Sequence, residues 1–294
     1  MRFYYVVYDL LPLNQPDWFA PFPQFRIWLQ RLGTEADGLV CISRAVAQQL
    51  RERLPDLGIE RVDPLRIGHF HLGAEISEEG GAPTGEVESI LKQSCPTFLA
   101  VGTVEPRKGH AQALAAFELL WEQGIDVSLV IVGKQGWKVD ELAERMRGHP
   151  ATGRRLHWIE SGTDADLTAL YGGCTALLAP SLDEGFGLPL IEAAKHALPI
   201  IARDIPVFRE IAGDHAAYFS GSGARTLANA LKGWIADHAA GRTPTSTHMP
   251  WLTWAQSAEQ LCEAIFGGRW DAEWKPGAEP EHTDAARGEL VSPL

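Results

Sequence analysis

The sequence predicts an α/β protein in which parallel sheets are covered by helices. Short apolar segments, rich in β-branched and aromatic residues, alternate with helical segments along most of the chain, and this is the pattern of parallel strands joined by helices. The length of 294 residues suggests about two domains. Hydrophobic residues make up 45% and charged residues 22%, a composition that excludes collagen, coiled coils and disorder throughout.

Charge and cysteine usage exclude further classes. Lys and Arg number 26 and Asp and Glu number 38, so the net charge is −12. A chain this acidic is not expected to bind nucleic acid through general electrostatics. Cys41, Cys95, Cys174 and Cys262 form no Cys-x-x-Cys pair, which favours reduced thiols over a zinc ribbon or redox motif. No apolar segment approaches the roughly 18 residues of a membrane span, and Met1–Asp9 lacks signal-peptide features.

Residues 1–76 are predicted to form a partial, Rossmann-like α/β domain, because they hold only about half the length of a typical domain. The first strand is predicted to be buried. The predicted elements, in order, are strand Phe3–Tyr8, helix Gln24–Leu32, strand Gly38–Ile42, a helix capped by Ser43 and ending near Leu54, and strand Leu65–Leu72.

Residues 77–95 are predicted to be a linker with one short helix near Val87–Lys92, since Glu, Gly and Pro interrupt the pattern there. Alternation resumes in residues 96–250 and predicts a doubly wound parallel sheet. Its predicted strands are Thr97–Val101, Val127–Val132, Leu156–Ile159, Ala176–Ala179, Pro199–Ala202 and Ala216–Phe219. Its predicted helices are His110–Trp121, Val139–Met146, Asp164–Tyr171, Pro189–His196, Val207–Ile211 and Ala224–Ala236.

The end of the chain contains one more predicted helix, Thr253–Phe266, within residues 251–266. Residues 267–294 are rich in Gly, Pro, Asp and Glu. This composition predicts a disordered tail.

The loop Gly102–His110 is the first candidate site, because it joins a strand to a helix and carries adjacent positive charges on Arg107 and Lys108. Gly102 and Gly109 permit a tight turn and the close approach of a ligand. Arg, Lys and a helix N-terminus together suit a diphosphate. The loop could instead be a solvated basic turn with no ligand. Because it lies at the carboxyl end of a strand, where ligands bind in such sheets, both interpretations stay open.

The loop Ser181–Glu192 is the second candidate site. Gly185 and Gly187 expose backbone N–H groups at a helix start, which is a natural anion site. Glu184 and Glu192 are carboxylates that could bind sugar and ribose hydroxyls. In a chain with 38 acidic residues, two Glu at this spacing could also occur by chance and have no role. The sequence Gly-Phe-Gly-Leu-Pro between them is far less expected by chance.

These motifs carry a family resemblance. EGFGLPLIEA, with Glu184 and Glu192 eight apart, resembles the nucleotide-sugar signature of retaining glycosyltransferases of family 4, and GTVEPRKG resembles their phosphate-binding turn. The resemblance covers Pro96–Phe219. It implies a GT-B-like fold, with a donor domain in residues 96–250, an acceptor-side domain before it, and the helix in 251–266 packing back on the first domain.

The resemblance also implies roles for individual residues. Arg107, Lys108 and Glu184 are the expected catalytic residues, the two cations binding and stabilising the departing diphosphate. Glu192 is expected to bind the ribose. Asp9 is the acceptor-side candidate, and Tyr8 stands where the family often has a His. The expected donor-binding residues are Gly102, Thr103, Ser161, Gly162, Gly185, Phe186, Gly187, Leu188 and Glu192.

The implied reaction is transfer of a hexose, mannose being favoured, from a nucleotide-diphosphate sugar such as GDP-mannose. The implied acceptor is a glycan or lipid-linked saccharide in surface polysaccharide synthesis, including lipopolysaccharide O-antigen. The expected location is the cytoplasm, with peripheral association at the inner membrane face left open. Alternatives are a non-catalytic nucleotide-binding remnant, one piece of a larger assembly, or a glycoside hydrolase, which the phosphate loop disfavours.

No cofactor or essential metal is predicted, because no Asp-x-Asp motif stands beside the two loops. His69 and His71 alternate on a predicted strand and could form a metal pair. Without a third ligand in the sequence pattern, they are interpreted as ordinary strand residues.

Overall fold

The computed structural model describes residues 1–19, 22–74 and 81–277, whose strands fall into two sheets. The strands are β1 Tyr4–Val7, β2 Gly38–Cys41, β3 Leu65–His69, β4 Thr97–Val101, β5 Ser128–Val132, β6 Leu156–Ile159, β7 Ala176–Ala179, β8 Ile200–Arg203, β9 Ala216–Phe219 and β10 Ala272–Trp274. The α-helices are α1 Leu11–Asn14, α2 Pro23–Glu35, α3 Arg44–Arg53, α4 Gly85–Leu91, α5 His110–Glu122, α6 Asp140–Gly148, α7 Asp164–Gly173, α8 Leu188–Lys195, α9 Pro206–Ala212, α10 Ala224–Ala239 and α11 Trp254–Phe266.

The first sheet has the order β1-β2-β3-β10. Its first three strands are parallel, whereas β10 pairs antiparallel with β3, Trp274 lying opposite Leu65. The prediction of disorder from residue 267 was therefore wrong for β10, and residues 278–294 lie outside the described residues. Tryptophan explains the error, because the Trp270 ring stacks on Tyr4 with centroids 5.8 Å apart and packs above Gly38.

Strand β1 is an edge strand in the described part of the chain, so the prediction that it is buried was wrong. It pairs with β2 alone. Phe3, Tyr5 and Tyr8 are 48%, 38% and 62% exposed. Aromatic content predicted the strand correctly, but it does not report on which side a neighbouring strand lies.

The second sheet is fully parallel and has the order β6-β5-β4-β7-β8-β9, which confirms the predicted doubly wound sheet. The chain moves outward from β4 to β6 and then returns to β7 on the other side of β4. The switch point therefore lies between β4 and β7, and in open α/β sheets ligands bind at the carboxyl ends of strands at such a point. Phe98, Phe117 and Trp234 form an edge-to-face aromatic group in the core on one side.

The segment between the sheets is partly packed. The first residues of the predicted linker, 77–80, lie outside the described residues. Helix α4 follows them and is described. Val87 and Ile90 on α4 are buried in the core that includes both sheets. Asp166, at the start of α7, accepts hydrogen bonds from the backbone N–H and the hydroxyl of Thr84 at 2.7 and 2.8 Å. This anchor fixes where the chain enters the second sheet.

Helix α11 lies against β2 and β3 of the first sheet. The Ser257 hydroxyl donates to the carbonyl of His71 at 2.7 Å, and the Ala74 N–H donates to the carbonyl of Leu252 at 2.9 Å. The chain thus returns from the second sheet to the first before β10. No helix among the described residues is long and apolar enough to cross a membrane.

The packing of Trp270 predicts that residues 267–277 contribute to stability. Trp270→Ala should lower the free energy of unfolding by about 3 kcal/mol, because the indole fills the space above Gly38 and Gly68. The measurement is the urea midpoint. Phe266→Ala, which truncates a side chain that is 82% exposed, is the control and should leave the midpoint almost unchanged. Equal midpoints for both variants would contradict the packing.

Candidate active site

The loops that follow β4 and β7 touch each other at the switch point of the second sheet. The Leu182 N–H donates to the carbonyl of Arg107 at 2.7 Å. Gly109 has a φ of +72°, and a Cβ there would lie 2.2 Å from the Pro180 carbonyl oxygen. A glycine is required for both reasons, because the backbone is left-handed and leaves no room for a side chain. This close approach brings the two predicted motifs together.

Glu184 lies between the two cations of the first motif. Its Oε2 is 2.5 Å from Arg107 Nη1 and its Oε1 is 2.5 Å from Lys108 Nζ. The three side chains are 9%, 19% and 13% exposed, in the order Glu184, Arg107 and Lys108. All three side chains are thus mostly buried, and the two cations are slightly more exposed than the carboxylate between them.

Burial and charge oppose each other at this site. Burial alone would raise the pKa of Glu184, but Lys108 and Arg107 outweigh it and hold the pKa below its usual value. Glu105, which also contacts Arg107 with Oε1 2.6 Å from Nε, has a raised pKa because its burial outweighs the same cations. Its Oε2 atom is buried without a hydrogen-bond partner. The sequence pattern does not indicate a role for Glu105, since only the folded loop turns it toward Arg107.

Arg203 holds the β7 loop in place, which the sequence did not predict. Its buried guanidinium donates to the carbonyls of Pro180 and Ser181 at 2.9 to 3.1 Å. Asp204, the next residue, forms a surface ion pair with Arg209 at 2.7 Å. By binding these loop carbonyls, the buried Arg203 side chain helps to fix the position of the cleft.

Helix α8 begins at Leu188, immediately after the second motif. The first N–H groups of a helix lack intrahelical partners and favour an anion. Gly187 has a φ of +105°, and a Cβ there would lie 2.8 Å from the ring of Phe208. The Phe186 side chain is buried and 4% exposed, so only its backbone can serve the predicted donor site. Glu192 accepts the Tyr171 hydroxyl at 2.5 Å, and its burial raises its pKa.

Asp9 faces the same cleft from the first sheet. A Cβ on Gly185 would lie 2.2 Å from the Tyr8 carbonyl oxygen and 3.3 Å from the Asp9 Cβ. The Ser43 hydroxyl donates to the Gly185 carbonyl at 2.8 Å. Burial raises the pKa of Asp9, with the Leu11 N–H and Arg107 opposing it. The structure therefore places the acceptor-side candidate next to the second motif.

The remaining predicted residues lie farther out along the carboxyl edge of the sheet. Gly102 lies beneath the Lys108 side chain, because a Cβ there would be 3.2 Å from the Lys108 Cε. Thr103 is exposed, as are Ser161 and Gly162 after β6. Strand β6 is two positions from β4, which corresponds to roughly 10 Å. Ser161 and Gly162, which follow β6, are therefore separated from the Arg107–Lys108–Glu184 group by the width of β5.

The loop between β5 and α6 is joined to the segment that follows α1. The Trp137 indole N–H donates to the Trp18 carbonyl at 2.7 Å, and Lys138 Nζ donates to the carbonyls of Asp17 and Phe19 at 2.7 and 2.6 Å. These three hydrogen bonds hold the loop that follows β5. It connects the second sheet with the segment before α2.

The structure supplies the third ligand that the sequence lacked beside the two histidines. Ligand atoms of His69, His71 and Glu210 all lie within 4.8 Å of one another. Glu210 lies on α9, 139 residues from His71 in sequence. No local spacing could have indicated this group.

Comparisons with known proteins identify the relatives of this chain. A family model described as glycosyl transferases group 1 matches residues 86–245, which is more than half of the chain. The chain is 45% identical over 269 residues to the serotype-specific mannosyltransferase WbdA of Escherichia coli, covering 89% of this chain and 33% of WbdA. It is 24% identical to the O-antigen chain mannosyltransferase RfbU of Salmonella typhimurium, covering 77% of this chain and 59% of RfbU. The chain thus spans about a third of the length of WbdA.

Solved structures resemble this fold over 90% of the chain. Sucrose-phosphate synthase from Thermosynechococcus elongatus matches with a TM-score of 0.69 at 20% identity, and 68% of that chain is covered. HepE of Anabaena, in complex with UDP and glucose, matches with a TM-score of 0.67 at 17% identity, and 71% of that chain is covered. At these identities the likeness concerns the fold alone.

The contact between the two loops predicts a strong effect of a methyl group at Gly109. Gly109→Ala should lower the free energy of unfolding by about 3 kcal/mol, because it combines left-handed backbone with a clash against the Pro180 carbonyl. Gly124→Ala is the matched control, since Gly124 has a φ of +73° and nothing within 4 Å of its Cβ position. Its cost should be about 1 kcal/mol. Urea unfolding compares them, and equal costs would contradict the close approach.

The lowered pKa of Glu184 predicts a pH-dependent contribution to stability. Its ionised form stabilises the folded state above its ordinary pKa of 4.5, and this stabilisation is lost as the pH falls through the lower folded-state pKa. Glu184→Gln should therefore cost about 3 kcal/mol near neutral pH, with a smaller cost near pH 3. Urea unfolding at several pH values measures the difference.

The control for this series is Glu35→Gln, which removes an exposed carboxylate paired with Arg31. That variant should match the parent protein at every pH. A cost for Glu184→Gln that does not decrease with acidification would be inconsistent with an ionised Glu184 held by the two cations.

Proposed function

The chain belongs to the glycosyl transferases of group 1, and on that premise we propose that it is a retaining hexosyltransferase that uses a nucleotide-diphosphate sugar. Its fold is GT-B, as the sequence predicted. One observation carries the proposal: Arg107, Lys108 and Glu184 converge at the switch point between β4 and β7, beside the start of α8. A cationic pair, a buried carboxylate and backbone N–H groups before and at a helix start are the components that a sugar diphosphate requires.

Donor binding exchanges the partners of the two cations. The diphosphate competes with Glu184 for Arg107 and Lys108, the guanidinium binding two oxygens and the ammonium acting as a point charge. The N–H groups from Gly185 to Leu188 add a second set of donors for the β-phosphate. Glu184, released from part of its ion pairing, can accept hydrogen bonds from hydroxyls of the donor sugar. This carboxylate is therefore both the resting partner of the cations and a ligand of the sugar.

The proposed transfer breaks the bond between the anomeric carbon and the β-phosphate oxygen. Positive charge develops on the sugar and negative charge on the leaving diphosphate, where Arg107 and Lys108 stabilise it. The acceptor hydroxyl forms the new bond on the same face of the sugar, and its proton passes to the leaving phosphate oxygen. No protein nucleophile is required. Asp9 lies beside Gly185 and is placed to orient the acceptor.

The nucleoside is proposed to extend from the diphosphate along the sheet edge. Glu192, on α8, is the proposed ribose ligand and already accepts one hydroxyl, that of Tyr171. Ser161 and Gly162 are exposed after β6 and are proposed to border the base. Gly102 and Thr103, after β4, border the phosphate. The roughly 10 Å between β4 and β6 suits the length of a nucleoside beyond its phosphates.

The finer identity of the reaction is also a proposal. WbdA and RfbU carry mannosyltransferase names, and this supports mannose as the sugar, GDP-mannose as the donor and a surface polysaccharide or lipid-linked saccharide as the acceptor. The proposed location is the cytoplasm, including the inner membrane face. No metal is proposed to take part in the transfer, because the two cationic side chains supply the positive charge at the phosphate.

Calorimetry with GDP, UDP and their sugars tests the donor site. We expect binding of a nucleotide diphosphate, and Lys108→Ala should weaken it by about 10- to 100-fold, because a charge-assisted contact is lost. Lys92→Ala, which removes an exposed lysine paired with Glu88, should leave the affinity unchanged. Circular dichroism checks that both variants fold. If none of the nucleotides or nucleotide sugars tested binds, the proposal is overturned.

Release of nucleotide from the sugar donor in the presence of glycan acceptors tests catalysis itself. The expected result is release that depends on acceptor and yields a product with the anomeric configuration of the donor. Nucleotide binding without transfer to any saccharide would favour a binding protein instead of an enzyme. Inversion of the configuration would contradict the retaining mechanism.

A further inference from the structure

Two imidazoles and a carboxylate converge at a place that the proposed transfer does not use. His69 is the last residue of β3, and His71 follows at the spacing that puts side chains on one face of an extended chain. Glu210 reaches them from α9, beside the second sheet. Their ligand atoms lie within 4.8 Å of one another, and the two imidazole centroids are 5.9 Å apart. The group therefore connects the two sheets.

We propose that His69, His71 and Glu210 form a binding site for a divalent transition metal of the zinc type, which would join the two sheets independently of sugar transfer. Imidazole nitrogen and carboxylate oxygen are the ligands that zinc takes in proteins, and three protein ligands leave one position for water. His71 Nε2 and Glu210 Oε1 are already 2.7 Å apart. Because all three ligand atoms lie within 4.8 Å of one another, rotations of the three side chains would bring them around one ion.

The partners around this group orient its ligands. Asp271 Oδ2 is 2.6 Å from His69 Nδ1, so Nδ1 carries the hydrogen of that bond and Nε2 keeps its lone pair for a metal. A carboxylate that orients a ligating histidine in this way is a common outer partner of zinc sites. Asp271 precedes β10, and this position gives the end of the described chain a role at the site.

Glu210 is held as firmly as His69. Its Oε1 and Oε2 accept the backbone N–H groups of Arg44 and Ala45, at 2.7 and 2.8 Å. Oε1 also contacts His71 Nε2, and an ion bound there would replace that contact, while Oε2 keeps a further lone pair. Asp271 and Glu210 together supply two negative charges, which balance a divalent cation. The side chains of His69, His71 and Glu210 are 15%, 34% and 15% exposed, so an ion can reach the group from solvent.

An ion pair between His71 and Glu210 that also caps α3 is the competing explanation. The two explanations differ at His69, which contacts Asp271 and not Glu210. If His71 and Glu210 form only an ion pair, replacing His69 does not change the affinity of the chain for zinc. In the metal explanation His69 is one of three ligands, and its removal weakens metal binding.

Titration of the full, metal-stripped chain with Zn²⁺ in a calorimeter tests the proposal. All proteins carry Cys262→Ser, because Cys262 is an exposed thiol that could bind zinc itself. We expect about one zinc ion per chain. His69→Gln should weaken binding at least about 10-fold, and Asp271→Asn by about 10-fold, since loss of an outer partner has effects of that size.

His149→Gln is the matched control, because His149 also lies beside a carboxylate, Glu118, at 3.2 Å but outside the group. Its zinc affinity should equal that of the parent. A second readout is the melting temperature, which should rise with Zn²⁺ in the parent and the control but not in His69→Gln. Absence of binding, or equal affinity for the parent and His69→Gln, would overturn the proposal.

Discussion

The arrangement of the cleft depends on one buried carboxylate, Glu184, held by Arg107 and Lys108. Removing three charged groups from water is costly unless their geometry is good, and here both carboxylate oxygens have a cation at 2.5 Å. The loop after β4 must therefore fold back onto the loop after β7, which is why Gly109 lies against Pro180 and why Arg203 holds the carbonyls behind it. The proposed diphosphate would enter a place already organised around cations. It would replace one anion with another, so the loops would need no large rearrangement to receive it.

Backbone contacts connect the two sheets at this cleft. Gly185 lies against the Tyr8 carbonyl, Ser43 donates to the Gly185 carbonyl, and Glu210 accepts the first N–H groups of α3. These polar contacts lie beside an apolar core to which residues of both sheets contribute. The active-site loop is itself part of the interface. A change in the relative position of the sheets would therefore alter the distance between Asp9 and the sugar site directly.

Local pattern predicted the second sheet, and its two motifs contain the three charged residues that the structure brings into contact. It failed where contacts between distant parts of the chain determine the structure. The alternation of apolar strands and helices identified all six strands, and two short motifs identified Arg107, Lys108 and Glu184. Glu105 and Arg203 could not be assigned, because their roles depend on how the loops fold onto each other. Glu210 is 139 residues from His71. The average composition of residues 267–294 predicts disorder. It conceals Trp270 and Trp274, which pack or pair with the first sheet. Composition averages polar and apolar residues, whereas packing depends on individual side chains.

The pairing of β10 with β3 joins positions that are far apart in the chain, since Trp274 lies opposite Leu65. A ribosome that has produced β1 to β3 has not yet produced the strand that covers their open edge, nor α11, which packs on them. The second sheet, by contrast, is assembled from a continuous stretch of sequence. Long-range pairing of this kind slows folding, because the chain loses entropy before the contact forms. During synthesis the second sheet can thus fold first, while β3 exposes an unpaired edge until α11 and β10 have been made.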